Sequence, residues 1–344
     1  MKILAIETSC DETAAAIISK EPKDNYVKVL SNVVASSFSL HSKTGGIVPE
    51  VAAREQLKFI VPVIEKAIKD AKVQIKDVDA IAVTLGPGLI GSLLIGDETA
   101  KTLAYLWKKP IIPVNHLLGH IYANFIKTVG NNNPSIIEFP ALSLLVSGAH
   151  TDLVLMKKRD EITWLGGTRD DAAGEAFDKI GRLLGYPYPA GPAIEQKAKM
   201  GDPKAFPFPS PMIYSKDFDF SFSGLKTAVW REVKKIKDLN DKTIANICAS
   251  TQRAIVDVLV AKTLKAAKKY NVKSILLGGG VAANQNLRKI LEQKTKDQMP
   301  TTKLFFPEKS LCTDNAAMIG AYAAFNYKPI ELRKVTADPE LYFE

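Results

Sequence analysis

Two of the chain's four histidines, His116 and His120, lie four residues apart in VNHLLGHIYA. On a helix this spacing sets both side chains on one face, with Cβ atoms about 5–6 Å apart. Two imidazoles so arranged can share a metal ion. The spacing alone is more often structural. A zinc protease built on such a pair needs Glu directly after the first histidine, to activate water. Leu117 stands there, so the protease reading lacks its base. A two-histidine site calls for a carboxylate, and Asp314 in LCTDNAAM offers one. Its local sequence reads better as a helix N-cap, because Thr313 and Asp314 precede an apolar helix. Two histidines, one carboxylate and open positions suit iron(II), and zinc nearly as well.

Other segments carry weaker signals. GGGVAANQNLR follows an apolar strand and opens a helix. Its glycines allow close backbone approach to a ligand, and Asn284 can hydrogen-bond it. Ala283 at the third glycine position excludes a dinucleotide fingerprint, and a tight strand–helix turn is the plain alternative. TRDDAAGEAFDKIGRLLG reads as a helix with Asp171, Glu175 and Asp178 along one face and Phe177, Ile180 and Leu184 opposite. Carboxylates facing a ligand can accept from ribose hydroxyls; a solvated acidic face explains them equally well. Lys226, Arg231, Lys234 and Lys235 follow an aromatic segment and could track a phosphate backbone, although charge runs more commonly mark a solvated face.

These residues need a scaffold, and the apolar runs describe one. KILAIETS and AAAIIS flank the polar turn Cys10–Asp11–Glu12–Thr13, and VKVLSNVVAS follows. A helix near 49–71, the strand DAIAVTL, a helix near 91–107 and the strand PIIPV complete the first half. The second half repeats the order. ALSLLV and TDLVLM flank Ser147–Gly148–Ala149–His150, then come EITWLGG, a helix over 171–184, a helix near 241–270, SILLGGG, a helix at 284–297, KLFF and a helix from Thr313 to about 325. The repetition predicts a duplicated α/β domain, with a turn from each half turned toward a nucleotide's phosphates. The expected lobes are 1–130 plus 326–344 and 131–325, with Gly130–Pro134 as linker and KAFPFPSPM as a loop.

Composition bounds the rest. The 344 residues carry a net charge of +9, compatible with a polyanionic partner or simply with a soluble surface. The three cysteines form no C-x-x-C pair, which suits a reducing cytosol. Glu7 interrupts the N-terminal apolar run too early for a signal peptide, and Gly86, Pro87, Gly88 and Gly91 break the longest apolar stretch, so no membrane span is expected.

Taken together, the blocks resemble the TsaD family of tRNA N6-adenosine threonylcarbamoyltransferases, once described as O-sialoglycoprotein endopeptidases, in its bacterial form. They are ETSCDET at 7–13, GGIVPEVAARE at 45–55, GPGLIGSLLIG at 86–96, NHLLGH at 115–120, LVSGAHT at 145–151, RDDAAGEAFDK at 169–179, GPAIE at 191–195, FSFSGLKTAV at 220–229, GGGVAAN at 278–284 and CTDNAAM at 312–318. The resemblance implies a duplicated actin, sugar-kinase and heat-shock-ATPase fold of the ribonuclease H-like class, with two lobes around a nucleotide cleft. It implies His116, His120 and Asp314 as ligands of one divalent metal, iron(II) first and zinc second. It implies Leu145, Val146, Ser147, Gly148, Ala149, Asp178, Gly191 and Asn284 as substrate-binding positions, with Glu195 near the ribose or base. Three positions depart from the family pattern: Ala149 and Ala190 replace glycines, and Gln56 stands where histidine is common.

The implied reaction moves the threonylcarbamoyl group of threonylcarbamoyl-adenylate onto N6 of adenosine 37 in tRNAs reading codons that start with A. Asp11 or Glu12 is expected to orient or deprotonate the attacking amine. The implied partners are tRNA, an inactive TsaB-like paralogue and a TsaE-like P-loop ATPase, in the cytoplasm and away from membranes. A small-molecule phosphotransferase and a non-catalytic scaffold of the same fold are the rival readings.

Overall fold

The computed structural model describes residues 1–37, 46–127 and 136–343; the expected linker Gly130–Pro134 and the first residue of the 45–55 block lie outside them. The chain divides into two compact units, 1–136 with 307–344, and 137–306.

The first unit is built on β1 (Lys2–Glu7), β2 (Glu12–Ser19), β3 (Lys28–Ser36), β4 (Ala80–Gly86) and β5 (Ile111–Asn115). Their order across the sheet is β3-β2-β1-β4-β5. The first three strands are antiparallel neighbours, whereas β1–β4 and β4–β5 run parallel. β1 and β2 are apolar on both faces because both faces are covered. Leu4, Ile6, Ala15 and Ile17 pack with α1 (Pro49–Ala71) and α2 (Ile90–Trp107) through Ile60, Val63, Ile64, Ala100 and Ala104. On the alternate face, Ala5 and Ile18 meet α9 (Ala316–Phe325) at Gly320, where a Cβ would approach Ile18 to 2.7 Å. A short helix, α3 (His116–Tyr122), leaves the end of β5.

The second unit repeats the topology. Its strands are β6 (Ala141–Val146), β7 (Thr151–Lys158), β8 (Glu161–Gly167), β9 (Ser274–Gly278) and β10 (Lys303–Phe305), ordered β10-β9-β6-β7-β8. Again the first three are antiparallel and the last two join in parallel. Its helices are α4 (Ala173–Leu183), α5 (Gly191–Ala198), α6 (Ser223–Lys235), α7 (Asp241–Lys269) and α8 (Gln285–Gln298). By length and hydropathy α7 could cross a bilayer, but 72% of its apolar window is buried inside the protein, as befits a core helix. Residues 204–212 form no helix or strand, as their prolines predict.

One boundary differs from the sequence expectation. The segment 307–325 belongs with the first unit, not the second. The reason is α9: AAMIGAYAAF is apolar around its whole circumference and is buried against β1, β2 and α3.

Candidate functional site

Three adjacent parallel strands end at one place. Glu7 closes β1, Thr84 lies near the end of β4, and His116 opens α3 directly after β5. Carboxyl ends of parallel strands are where open α/β sheets hold ligands. Asn115 caps α3, its Oδ1 accepting from the N–H groups of Leu117 (2.8 Å) and Leu118 (3.3 Å). The cap starts the helix at His116, and one turn later His120 follows on the same face, with ring centroids 4.7 Å apart.

Asp314 completes the cluster. Its Oδ1 lies 3.2 Å from His120 Nε2 and 3.5 Å from His116 Nε2. One ligand atom from each residue falls within 4.8 Å of the others. The N-cap reading of Asp314 is overturned. Asn315 caps α9 by accepting from Met318 N at 3.1 Å, and its amide donates to Thr313 O at 2.8 Å. The cap therefore sits one residue further on, and Asp314 is left to face the histidines.

The residues fit a divalent cation. His120 Nδ1 is buried without a hydrogen-bond partner among the described residues, and Nε2, also buried, has only the Asp314 carboxylate near it, at 3.2 Å. Buried polar nitrogens rarely go unsatisfied, and a shared metal would satisfy this one together with its neighbours. Burial holds the His120 imidazole below its usual value, which favours the neutral, ligating form. For His116 burial lowers the pKa, but the Glu7 and Asp314 carboxylates outweigh it and raise it to about 9. A metal must displace that proton, so its binding is coupled to proton release.

The turn after β1 borders this centre. Gln56 of α1 donates to the carbonyls of Thr8 (3.3 Å), Cys10 (3.1 Å) and Glu12 (3.0 Å), and Ser92 of α2 to Cys10 O (3.0 Å). Gln56, a departure from the family pattern, thus gathers the turn that carries Asp11 and Glu12. Burial and the Asp314 and Asp11 carboxylates push Glu12 up to about 10. Burial, with the same neighbours, also raises the Cys10 thiol far above its usual value, so it is no nucleophile.

The expected substrate positions lie in the second unit. Leu145 and Val146 are fully buried in β6, leaving them only main-chain groups to offer a ligand. The following turn is self-braced: Ser147 Oγ accepts from Ala149 N (3.3 Å) and His150 N (3.0 Å), and Ser147 N donates to His150 O (2.8 Å). It packs on Gly279, which has φ +86°, and on Gly174, whose N–H donates to Ser147 O at 3.1 Å. Gly148 and Ala149 are exposed.

Asp178 accepts from Ala190 N at 2.7 Å and also from the Gly191 N–H; burial nevertheless keeps its carboxyl above the usual value. Glu195 accepts from Gln285 N at 2.8 Å. Asn284 caps α8, accepting from Leu287 N at 2.9 Å and donating to Gln252 at 2.9 Å. So Ser147, Asp178, Gly191, Glu195 and Asn284 are linked through α4, α5 and the start of α8, with much of their polar capacity spent on bracing one another. The departures at 149 and 190 fit. Neither alanine has a positive φ, and Gly181 leaves room for the Ala190 methyl.

Sequence reasoning gave no role to Glu7, met only as the first residue of ETSCDET, or to Gln56, noted only as a departure from the family pattern.

The chain's likenesses agree with this architecture. Residues 28–321 match the family model for tRNA N6-adenosine threonylcarbamoyltransferase. The chain is 49% identical to the protein of that name from Moorella thermoacetica, across 94% of this chain and 92% of that one. It is 47% identical to the one from Lactiplantibacillus plantarum, across 99% and 95%. Among solved structures, HypF of T. kodakarensis superposes with a TM-score of 0.61 at 14% identity, covering 95% of this chain and 48% of that one. Component A of the Acidaminococcus fermentans (R)-2-hydroxyglutaryl-CoA dehydratase gives 0.52 at 14%, covering 95% and 98%. The two structures share the duplicated fold; the near-full-length relatives at nearly half identity show that this chain belongs to the tRNA N6-adenosine threonylcarbamoyltransferase family.

Proposed function

We propose that this protein transfers the threonylcarbamoyl group of threonylcarbamoyl-adenylate to N6 of adenosine 37 in tRNAs reading codons that start with A. The observation that carries this reading is the 49% identity, over 94% of the chain, to an enzyme named for transfer to tRNA adenosine N6. The donor is a mixed anhydride. N6 attacks its activated carbonyl carbon, the carbon–oxygen bond to phosphate breaks, AMP leaves, and the amine gives up a proton. Catalysis then requires alignment and charge stabilisation more than a strong nucleophile.

His116, His120 and Asp314 would hold the metal, which supplies Lewis acidity and a template for the donor's oxygens. Iron(II) is the assignment that two histidines and one carboxylate favour, with zinc the alternative. Gly148 in the exposed turn after β6 offers a main-chain donor to the adenylate, Gly191 allows close backbone approach, and Asp178, Glu195 and Asn284 hold that surface in shape. Glu12, beside Asp314 and on the same turn as Asp11, is assigned to orienting the attacking amine. The amine's proton is assigned to Asp11. A basic rim at Lys226, Arg231, Lys234 and Lys235 on α6 is assigned to the tRNA backbone.

A small-molecule kinase is disfavoured because magnesium prefers oxygen ligands. A scaffold paralogue would not need a buried ligand triad. The cytoplasmic partners are proposed to be a TsaB-like paralogue and a TsaE-like ATPase.

A transfer assay tests the reading. The purified protein, with and without those partners, is given threonylcarbamoyl-adenylate and unmodified tRNA, and the nucleosides are read by mass spectrometry. Threonylcarbamoyladenosine is expected with wild type and is lost in Asp314→Ala. No product from a folded, metal-loaded protein with both partners would sink the proposal.

A further inference from the structure

Glu7 is a fully buried carboxylate, and its hydrogen-bond partners among the described residues are Ser9, Thr84 and His116, with no Lys or Arg among them. Its Oε1 accepts from Ser9 N at 2.5 Å. Its Oε2 accepts from Thr84 Oγ1 at 2.6 Å and faces His116 Nδ1 at 2.9 Å. Burying a charge is costly unless it is paired and hydrogen-bonded. Here the compensation is aimed at one imidazole nitrogen. An ionised carboxylate only accepts, so the proton of the neutral His116 ring must sit on Nδ1. That leaves Nε2 as the free lone pair, and Nε2 is the nitrogen that lies 3.5 Å from Asp314 Oδ1. Ser9 Oγ, 3.1 Å from Nδ1, flanks the same nitrogen. Histidine metal ligands commonly need such a partner on the second nitrogen to fix tautomer and ring orientation.

We propose that Glu7 is a positioning residue: held by Thr84 and Ser9, it fixes His116 with Nε2 turned toward His120 and Asp314, and so sets the site's affinity and geometry for a divalent cation. This rests on the reading of His116, His120 and Asp314 as a metal site. Glu7 would touch neither substrate nor metal. Its effect passes through the ring of His116. The backbone makes the arrangement rigid, because Ile6 pairs with Val83 in the β1–β4 ladder and thereby sets Glu7 beside Thr84. Both residues are then fixed by the sheet rather than by a loop.

The test is cobalt(II) binding to the full chain, by competition with a chelator and by the visible absorption spectrum, with thermal melting recorded for each variant. Glu7→Gln keeps the shape and removes the charge. Glu7→Asp keeps the charge but withdraws the carboxylate by one methylene. Thr84→Val removes one of the two groups that aim the carboxylate. Loss of positioning predicts that both Glu7 variants bind cobalt about 10–100-fold more weakly, with an altered spectrum. Thr84→Val should show a smaller loss in the same direction while melting close to wild type.

If Glu7→Asp binds like wild type while Glu7→Gln does not, only charge matters and positioning is overturned. If both Glu7 variants match wild type while His120→Ala loses cobalt, the metal reading stands and the role of Glu7 falls. If wild type itself binds no cobalt, iron(II) or zinc, the metal reading fails and this inference with it.

Discussion

At the scale of single residues, what could be read in advance depended on how far away the partner lies in sequence. The histidine pair was legible because both members share one helical turn. Asp314 was visible as a carboxylate, but locally it resembled a cap; only the packing of α9 shows that Asn315 takes that task. Glu7 and His116 are separated by 109 residues, and no local pattern joins them. Asp97 was equally invisible. It lies on the core face of α2, 1% exposed, and neither carboxylate oxygen has a hydrogen-bond partner among the described residues. Burial pushes its carboxyl up to about 7, against a lowering influence from Lys101. The folded state therefore holds a proton that the unfolded chain releases near pH 4. Where the folded state binds more protons, stability falls as pH rises, here from about pH 4 to about pH 7, and the penalty is complete above that. Asp97→Asn removes the titration. The variant should match wild type near pH 5 and exceed it by about 2 kcal/mol at pH 8, less than the full linkage because a charged carboxylate draws in water. Chemical denaturation at the two pH values measures this; a constant offset between the proteins would refute it.

At the scale of elements, strand and helix order was readable from apolar runs, and the polar turns after β1 and β6 were readable as breaks between them. The tightness of those turns was not, since it depends on segments far along the chain. Gly279 is the clearest case. Its φ is +86°, and a Cβ there would come within 2.3 Å of Val146 O and 3.2 Å of Ser147 Cβ. Gly148, in the adjoining turn, has open space around it and no positive φ. Two glycines that look alike in sequence should therefore respond differently to the same change. Gly279→Ala combines left-handed strain with a backbone clash and should cost about 3 kcal/mol of unfolding free energy. Gly148→Ala should stay within about 0.5 kcal/mol. Urea titration of the two variants decides it; equal losses would mean that the turn is less constrained than its contacts indicate. The tolerance of Ala149 follows the same logic, because a methyl in open space at ordinary φ costs little. Ala190 is accommodated differently, by Gly181, whose added Cβ would sit 2.1 Å from the Ala190 Cβ.

At the scale of the whole molecule, duplication was legible because both halves repeat one strand order, and the two sheets do share the order and sense of pairing. The return of α9 to the first sheet was not legible, because chain order alone assigns it to the half it follows. Its composition held the clue: a helix apolar on every side must be covered all round, and β1, β2 and α3 cover it. The consequence is testable with fragments. Residues 137–306 contain a complete sheet with its own helices and should fold alone, with a cooperative melt and dispersed amide resonances. A fragment spanning 131–325 would instead carry α9 without its sheet. Such a fragment exposes an apolar surface that has no cover, and it should aggregate or lose the helix to proteolysis. The first unit makes the complementary demand. Residues 1–136 alone leave Ala5 and Ile18 uncovered and hold two histidines without Asp314, so that fragment should fold poorly and bind cobalt weakly. Adding a separate 307–344 peptide should restore both properties together, because one segment supplies the missing helix and the missing ligand. Restored folding without restored cobalt binding would separate the two roles and remove Asp314 from the ligand set.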